Sequence, residues 1–301
     1  MESFAGRLAV VTGGGSGMGR ELVRQLASEG CSVATCDVYE DTVAETRSLA
    51  LAGAPGGTKV TSHICDVADE LQVLAFRDEA LAFHGADHVD LVFSNAGIGG
   101  GGSLLNDPRE QWERVFAVDF WGVYYCARAF LPLLIKSSEG VLVNMSSVNG
   151  FWASLGSGIP HTAYSTAKFA VKGLSEALIE DLRVNAPNVR VAVVMPGHVG
   201  TNIVANSMRA FGVPEAEALA AGKGFHDSAP LGATAAATTI LDGVRAGAWR
   251  ILVGEDARYL DEFVRANPDD AYDYAKQAAV PQQAGAGLHD AVAALRDETA
   301  G

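Results

Sequence analysis

The chain has 301 residues, 49% of them hydrophobic, enough to bury a sizeable core as one large domain or two small ones. A formal net charge of -14 argues against a nucleic-acid partner, because phosphate binding depends on clustered Lys and Arg. The start MESFAGR lacks the charged-then-apolar pattern of a signal region, and no run of about eighteen apolar residues could span a bilayer, so a soluble, cytoplasmic protein with no membrane contact is expected.

Cys31, Cys36, Cys65 and Cys126 have neither CxxC nor Cys/His spacing, which predicts buried free thiols and no metal. No Pro/Ser-rich linker or charge block divides the chain. A single domain over about 1–254 is expected, followed by an acidic helical extension over 255–301 to which no role is assigned.

The first element is Leu8 to Gly19, LAVVTGGGSGMG: a β-type run, a glycine turn, then Met18, Leu22, Val23, Leu26 and Ala27 at helical spacing. Glycine admits backbone angles that a Cβ forbids and lets a pyrophosphate approach the main chain. A bare turn remains an alternative at this point. The next strand, Ser32 to Cys36, ends at Asp37, about twenty residues on, where a carboxylate can accept from a ribose hydroxyl. A helix over about Asp41 to Leu51 follows, then a strand Lys59 to Ile64, with Asp66 after it. A helix from Asp69 to Phe83 leads to a strand at Leu91-Val92-Phe93 and to Asn95-Ala96-Gly97. The helix Trp112 to Ile135 has almost no polar face, which predicts cover on both sides, one side by the sheet and the other by a second subunit.

Val141 to Val143 is another buried strand, ending at Ser146-Ser147. A helix over Thr162 to Val184 and a strand Val189 to Met195, stopped by Pro196-Gly197, come next. From about 200 to 228 the pattern is irregular, apolar and glycine-containing, as expected of a mobile lid over a pocket. A helix Ala233 to Ala246 and a strand Ile251 to Val253 complete the alternation. Strands that are continuous Val/Ile/Leu runs between helices mean a parallel sheet covered on both faces. Thr12, Asp37, Asp66, Asn95, Ser147 and Pro196 all follow the C-terminal ends of strands, the edge where open α/β sheets bind ligands.

Tyr164 and Lys168 are four apart on one helix and share a face. A tyrosine with a pKa of about 10 is a poor base at neutral pH. A neighbouring ammonium, together with the positive nicotinamide of an oxidised cofactor, would favour the phenolate. Taken alone the pair also fits a surface coincidence, but Ser147 ends a strand on the same sheet edge, where its hydroxyl could bond a substrate oxygen.

These residues together resemble the short-chain dehydrogenase/reductase family over about Arg7 to Val253. The resemblance rests, in order, on Thr12-Gly-x-x-x-Gly17-x-Gly19, Asp66-Val67, Asn95-Ala96-Gly97, Ser147, Tyr164-x-x-x-Lys168 and Pro196-Gly197-x-Val199-x-Thr201. It implies an α/β fold, a doubly wound, parallel, seven-stranded Rossmann sheet of order 3-2-1-4-5-6-7 with helices on both faces. It also implies Tyr164 as general acid/base, Lys168 bonding the nicotinamide ribose, and Ser147 holding the substrate oxygen. The implied cofactor-binding set is Thr12, Gly13, Ser16, Gly17, Met18, Gly19, Asp37, Asp66, Val67, Asn95, Ala96, Gly97, Tyr164, Lys168, Pro196, Gly197, Val199 and Thr201.

Two features depart from the family. Asp119 stands where Asn is usual in the long helix; a relay acceptor near Lys168 is one expectation, a residue that merely fits a helix kink the other. The segment from Ser147 to Tyr164 is about four residues longer than usual, through Phe151 to Gly158, and is expected to line the substrate mouth. Asp37 favours NAD, since a carboxylate repels a 2′-phosphate and the glycine turn holds no basic residue. Phe151, Trp152, His161, Met208 and Phe211, with Ile203 and Phe225, are expected around an apolar, medium-sized alcohol or ketone. The leading expectation is thus an NAD-dependent oxidoreductase in a homo-oligomer, dimer or tetramer. An NADP-dependent carbonyl reductase and a non-catalytic NAD-binding sensor are the alternatives.

Overall fold

The computed structural model describes residues 1–274 except Ser157. The extension expected over 255–301 therefore falls outside the described residues beyond 274, as does Ser157 in the loop expected at the substrate mouth.

In chain order the elements are β1 (Leu8–Thr12), α1 (Gly17–Ser28), β2 (Ser32–Asp37), α2 (Glu40–Gly53), β3 (Val60–Ile64), α3 (Glu70–His84), β4 (Leu91–Ser94), α4 (Arg109–Phe116) and α5 (Gly122–Leu134). They continue as β5 (Gly140–Met145), α6 (Thr162–Asn185), β6 (Val189–Pro196), β7 (Val199–Gly200), α7 (Ile203–Ala210), α8 (Glu215–Asp227), β8 (Leu231–Gly232), α9 (Ala233–Arg245), β9 (Arg250–Val253) and α10 (Glu255–Ala266). Seven strands form one parallel sheet of order β3-β2-β1-β4-β5-β6-β9. This is the order the sequence implied. Its last strand is ninth in the chain only because β7 and β8 pair separately, Val199 opposite Leu231.

The continuous apolar runs are explained by the two cores that the sheet separates. Val10, Ala34, Val92 and Leu142 point to one face, where Phe76, Phe130 and Leu182 cover them. Ala9, Val11, Leu91, Phe93 and Val143 point to the other, under Leu22, Leu26, Ile240 and Leu241. With both faces buried there is no solvent side for polar residues to occupy.

The helix ends follow local chemistry. Asp69 caps α3, accepting from Leu71 N at 2.9 Å, and Gly85 ends it in the left-handed conformation at φ 64°. The helix expected over Trp112 to Ile135 is α4 and α5 joined by one wider turn, Ala117–Trp121, hydrogen-bonded at five-residue spacing. That extra residue per turn sets Asp119 at the inner face, fully buried. The opposite face carries a ring-to-ring run of Phe116, Phe120, Trp121, Tyr124 and Tyr125, with Trp121 41% exposed.

The segment from 200 to 228 is corrected from irregular to helical. It holds α7 and α8, separated by Gly212 at φ 87°. The glycines at 222 and 224 inside α8 mask its periodicity. The start of the extension is docked rather than separate: α10 places Asp261 against Arg250 of β9 at 2.9 Å, and Asp256 accepts from His198 N at 2.6 Å. Among the described residues no helix is long and apolar enough to cross a membrane, and no cluster of His, Cys, Asp and Glu could hold a metal.

Candidate active site

The glycine turn between β1 and α1 is held from below. Thr12 Oγ1 accepts from Asn95 N at 3.0 Å and Ala96 N at 3.1 Å, while Asn95 Nδ2 donates to Thr12 O at 2.9 Å and Gly13 O at 3.3 Å. These bonds tie the ends of β1 and β4. They also commit the Asn95 amide to the turn. A Cβ on Gly13 would come 2.7 Å from Ala96 Cα, and one on Gly19 2.1 Å from Gly13 O, so both positions exclude side chains for packing reasons. Ser16, at the start of α1, makes no capping bond through its side chain, which leaves the first-turn N–H groups to face a cleft lined by Gly13, Ser16 to Gly19, Ala96 and Gly97. Unpaired N–H groups at a helix start suit a phosphate.

Asp37 lies along the same cleft. Its carboxylate accepts from Gly15 N at 2.9 Å and Val38 N at 2.8 Å. Burial pushes its pKa up, opposed by these N–H groups and by Arg209. Asp66 and Val67 line the next stretch, Asp66 paired with Arg114 at 2.8 Å. The turn, the helix start and the acidic strand end fit a dinucleotide.

The cleft opens into a cavity of about 480 Å³, walled by β5 and α6 on one side and by α7 on the other. Ser147, Tyr164 and Lys168 all line it, as do Pro196, Gly197, Val199 and Thr201. Lys168 Nζ sits 5.2 Å from the Tyr164 ring centroid, 3.1 Å from Asp119 Oδ2, and donates to Met145 O at 3.2 Å. Asp119 Oδ1 accepts from Ile98 N at 2.8 Å. Asp119, set in the wider turn, is therefore one half of a buried ion pair with Lys168.

Burial works to lower the Lys168 pKa, but Asp119 and Tyr164 outweigh it and hold the ammonium above its ordinary range. For Tyr164 burial comes first and raises the phenol. Lys168 opposes, Asp119 adds to the rise, and a hydrogen bond with Ser147 opposes, with a net upward direction. Lys168 thus acts on the phenol in the expected sense, yet without further positive charge the phenol keeps its proton. Ser146 lines the same cavity but its hydroxyl is engaged, donating to Lys168 O at 2.8 Å.

Of the residues expected around the substrate, His161, Met208 and Phe211 line the cavity, and so do Ile203 and Phe225. Phe151 and Trp152 are corrected: neither reaches it. Trp152 is buried, with Nε1 donating to Ala271 O at 2.8 Å, and Phe151 faces Arg250 at 5.9 Å. The segment after α10 draws this pair away from the mouth, with Tyr272 and Tyr274 bonding Ala153 N and Ser154 Oγ. Leu155 and Pro160 represent the lengthened loop in the cavity instead. Asp107, Gln111 and Ser207 also line it. No motif marked them; only their position after β4 and in α7 could have. His198 is occupied structurally, its Nε2 2.7 Å from Phe225 O.

A sequence model described as short chain dehydrogenase matches residues 7–210. The chain is 38% identical over 268 residues to the Mycobacterium tuberculosis protein SadH, named as an oxidoreductase, covering 88% of this chain and 92% of that one. The crystal structure of a short chain dehydrogenase/reductase from Burkholderia phymatum in complex with NAD aligns with a TM-score of 0.77 at 33% identity, covering 90% of this chain and 95% of that one. A metagenomic short-chain oxidoreductase in complex with NADP aligns at 0.56 and 31% identity, over 64% of this chain and 83% of that one. Sheet order, glycine turn and sequence match agree, and the chain belongs to the short-chain dehydrogenase/reductase family.

Proposed function

We propose that this chain is an NAD-dependent oxidoreductase acting on a medium-sized, largely apolar secondary alcohol or ketone, with Tyr164 as general acid/base. The observation that carries this reading is that Ser147, Tyr164 and Lys168 line one cavity that opens directly onto the glycine-turn cleft. A bound dinucleotide would take up or supply the hydride and, in its oxidised form, would contribute a positive charge that favours the phenolate. Ser147 and Tyr164 hold the substrate oxygen. In ketone reduction the Tyr164 phenol gives its proton to that oxygen as hydride reaches the carbonyl carbon; in alcohol oxidation the phenolate takes the proton back as the C–H bond breaks. Lys168 favours the phenolate, and Asp119 holds Lys168 charged and in place. Gly13, Gly17, Gly19 and the start of α1 would cradle the diphosphate; Thr201 and Val199 would meet the carboxamide, and Lys168 the nicotinamide ribose.

The test is absorbance at the reduced-nicotinamide band with NAD across a panel of secondary alcohols. Absorbance that rises with at least one alcohol supports the dehydrogenase. Tight NAD binding with no turnover of any alcohol or ketone, with either cofactor, would instead support a sensor.

NAD is preferred over NADP because Asp37 would repel a 2′-phosphate. Arg209 favours the other choice: its guanidinium lies 3.6 Å from the Tyr39 ring centroid and acts on Asp37. Since relatives bind either cofactor, the prediction is specific to Asp37. Asp37→Ala lowers the ratio of kcat/KM for NAD to that for NADP by roughly 10-fold or more, in line with removing a charge-assisted hydrogen bond and a repulsion. An unchanged ratio would reject the role.

The aromatic face of α4 and α5 supports a homo-oligomer, because a half-exposed Trp-Tyr-Phe run is typical of an interface centre. Light scattering at micromolar concentration is expected to give a dimer or tetramer, and Trp121→Glu to shift it toward monomer. The four buried, unpaired cysteines suit a reducing, cytoplasmic setting.

A further inference from the structure

His161 stands at the N-cap position of α6, one turn before Tyr164, with no capping bond from its side chain, and its ring stacks on the tyrosine ring at a centroid distance of 4.7 Å and an angle of 28°. The two rings share one wall of the 480 Å³ cavity. Among the described residues no group hydrogen-bonds the imidazole. Nδ1 is buried with no hydrogen-bond partner, so Nε2 is the nitrogen left to meet a ligand in the cavity.

Burial lowers the ring's pKa to about 4, so it is neutral and carries one N–H and one bare lone pair. Burying an N–H without an acceptor is worse than burying a lone pair without a donor, since orphaned buried N–H groups are the rarer defect in proteins. The proton therefore belongs on Nε2. His161 shares the cavity wall with the apolar side chains of Val148, Leu155 and Phe211, and no side chain of the described residues hydrogen-bonds its ring.

We infer that the Nε2–H of His161 recognises a second oxygen on the substrate, carried one or two carbons from the reacting carbon. The substrate class is then a hydroxyketone, diol or diketone rather than a simple alcohol. This deepens the oxidoreductase reading and rests on it: Ser147 and Tyr164 hold the reacting oxygen, and the stacked imidazole beside Tyr164 meets the neighbouring one. A proton carrier would need an onward partner at Nδ1, and among the described residues no side chain or backbone group supplies one.

The experiment compares cyclohexanol with cyclohexane-1,2-diol, and cyclohexanone with 2-hydroxycyclohexanone, in the wild type, His161→Phe and His161→Gln. Phe keeps a ring on Tyr164 without nitrogens; Gln keeps an N–H donor. The wild type is expected to favour the doubly oxygenated member of each pair. His161→Phe is expected to lower that preference in kcat/KM by roughly 10–100-fold, the discrimination of a pocket with one polar contact, and His161→Gln to restore part of it. The inference is overturned if the preference is the same in wild type and His161→Phe, or if Gln behaves as Phe does. If none of the four compounds is turned over, the oxidoreductase reading is left to the wider alcohol panel, and calorimetric binding of the diol to the NAD-loaded protein decides the inference. Weaker binding in His161→Phe upholds it; equal binding overturns it.

Discussion

Replacing Tyr164 by Phe is expected to lower kcat by roughly 10²–10⁴-fold, the range a positioned proton-transfer group contributes, with a much smaller change in dinucleotide affinity. The phenyl ring can keep its stack on His161 and its place against Lys168, so the substitution removes the hydroxyl and little else. The pH dependence of kcat/KM should lose the limb set by the phenol. A variant within about tenfold of the parent, with its pH limb intact, would mean that some other group moves the proton.

The second large effect concerns Asp119. The carboxylate raises the Tyr164 pKa and supports the Lys168 charge. Asp119→Asn removes the negative charge from beside the phenol while keeping an oxygen able to accept from Ile98 N. The sign follows directly: one of the influences raising the phenol is lost, its pKa falls, and the limb it sets moves to lower pH in both reaction directions. Asp119→Leu leaves the Lys168 ammonium buried without a counter-charge, and urea unfolding is expected to lose about 3–5 kcal/mol. A limb that stays in place or moves upward in Asp119→Asn would show that Asp119 does not act on the phenol, and an unfolding loss near zero in Asp119→Leu would mean that the pair contributes nothing to stability.

Much of the sheet was legible in the chain because its strands are buried on both faces. Val10-Val11 or Val141-Leu142-Val143 has no polar alternation to misread, and the glycine turn marks where the first strand stops. The site was legible to the extent that it sits at strand ends: Thr12, Asp37, Asn95 and Ser147 follow from where β1, β2, β4 and β5 finish. What could not be read were contacts between residues far apart in the chain. That Asp119 lies near Lys168 comes only from the family resemblance, and nothing local marks their direct ion pair, because their approach depends on the wider turn between α4 and α5 and on the docking of α6. Phe151 and Trp152 look like pocket residues from their place after Ser147; only the position of Ala271, more than a hundred residues on, turns Trp152 aside. Helix α8 was hidden by its own glycines.

The short pairing of Val199–Gly200 with Leu231–Gly232 brings the two ends of the stretch 201–230 side by side, independently of the main sheet. With its ends already joined, lengthening or shortening that stretch changes closure entropy only logarithmically, by about 0.6 kcal/mol per doubling. Length changes at its turns are therefore cheap in chain entropy, whereas Ser207 Oγ, which accepts from Gly99 N at 2.6 Å, and Ile203 and Phe211, which pack on the core, tie the helices themselves to the scaffold. The residues of this stretch that line the cavity, Ile203, Val204, Ser207, Met208 and Phe211, can thus change its shape while the strand ends beneath it stay as they were.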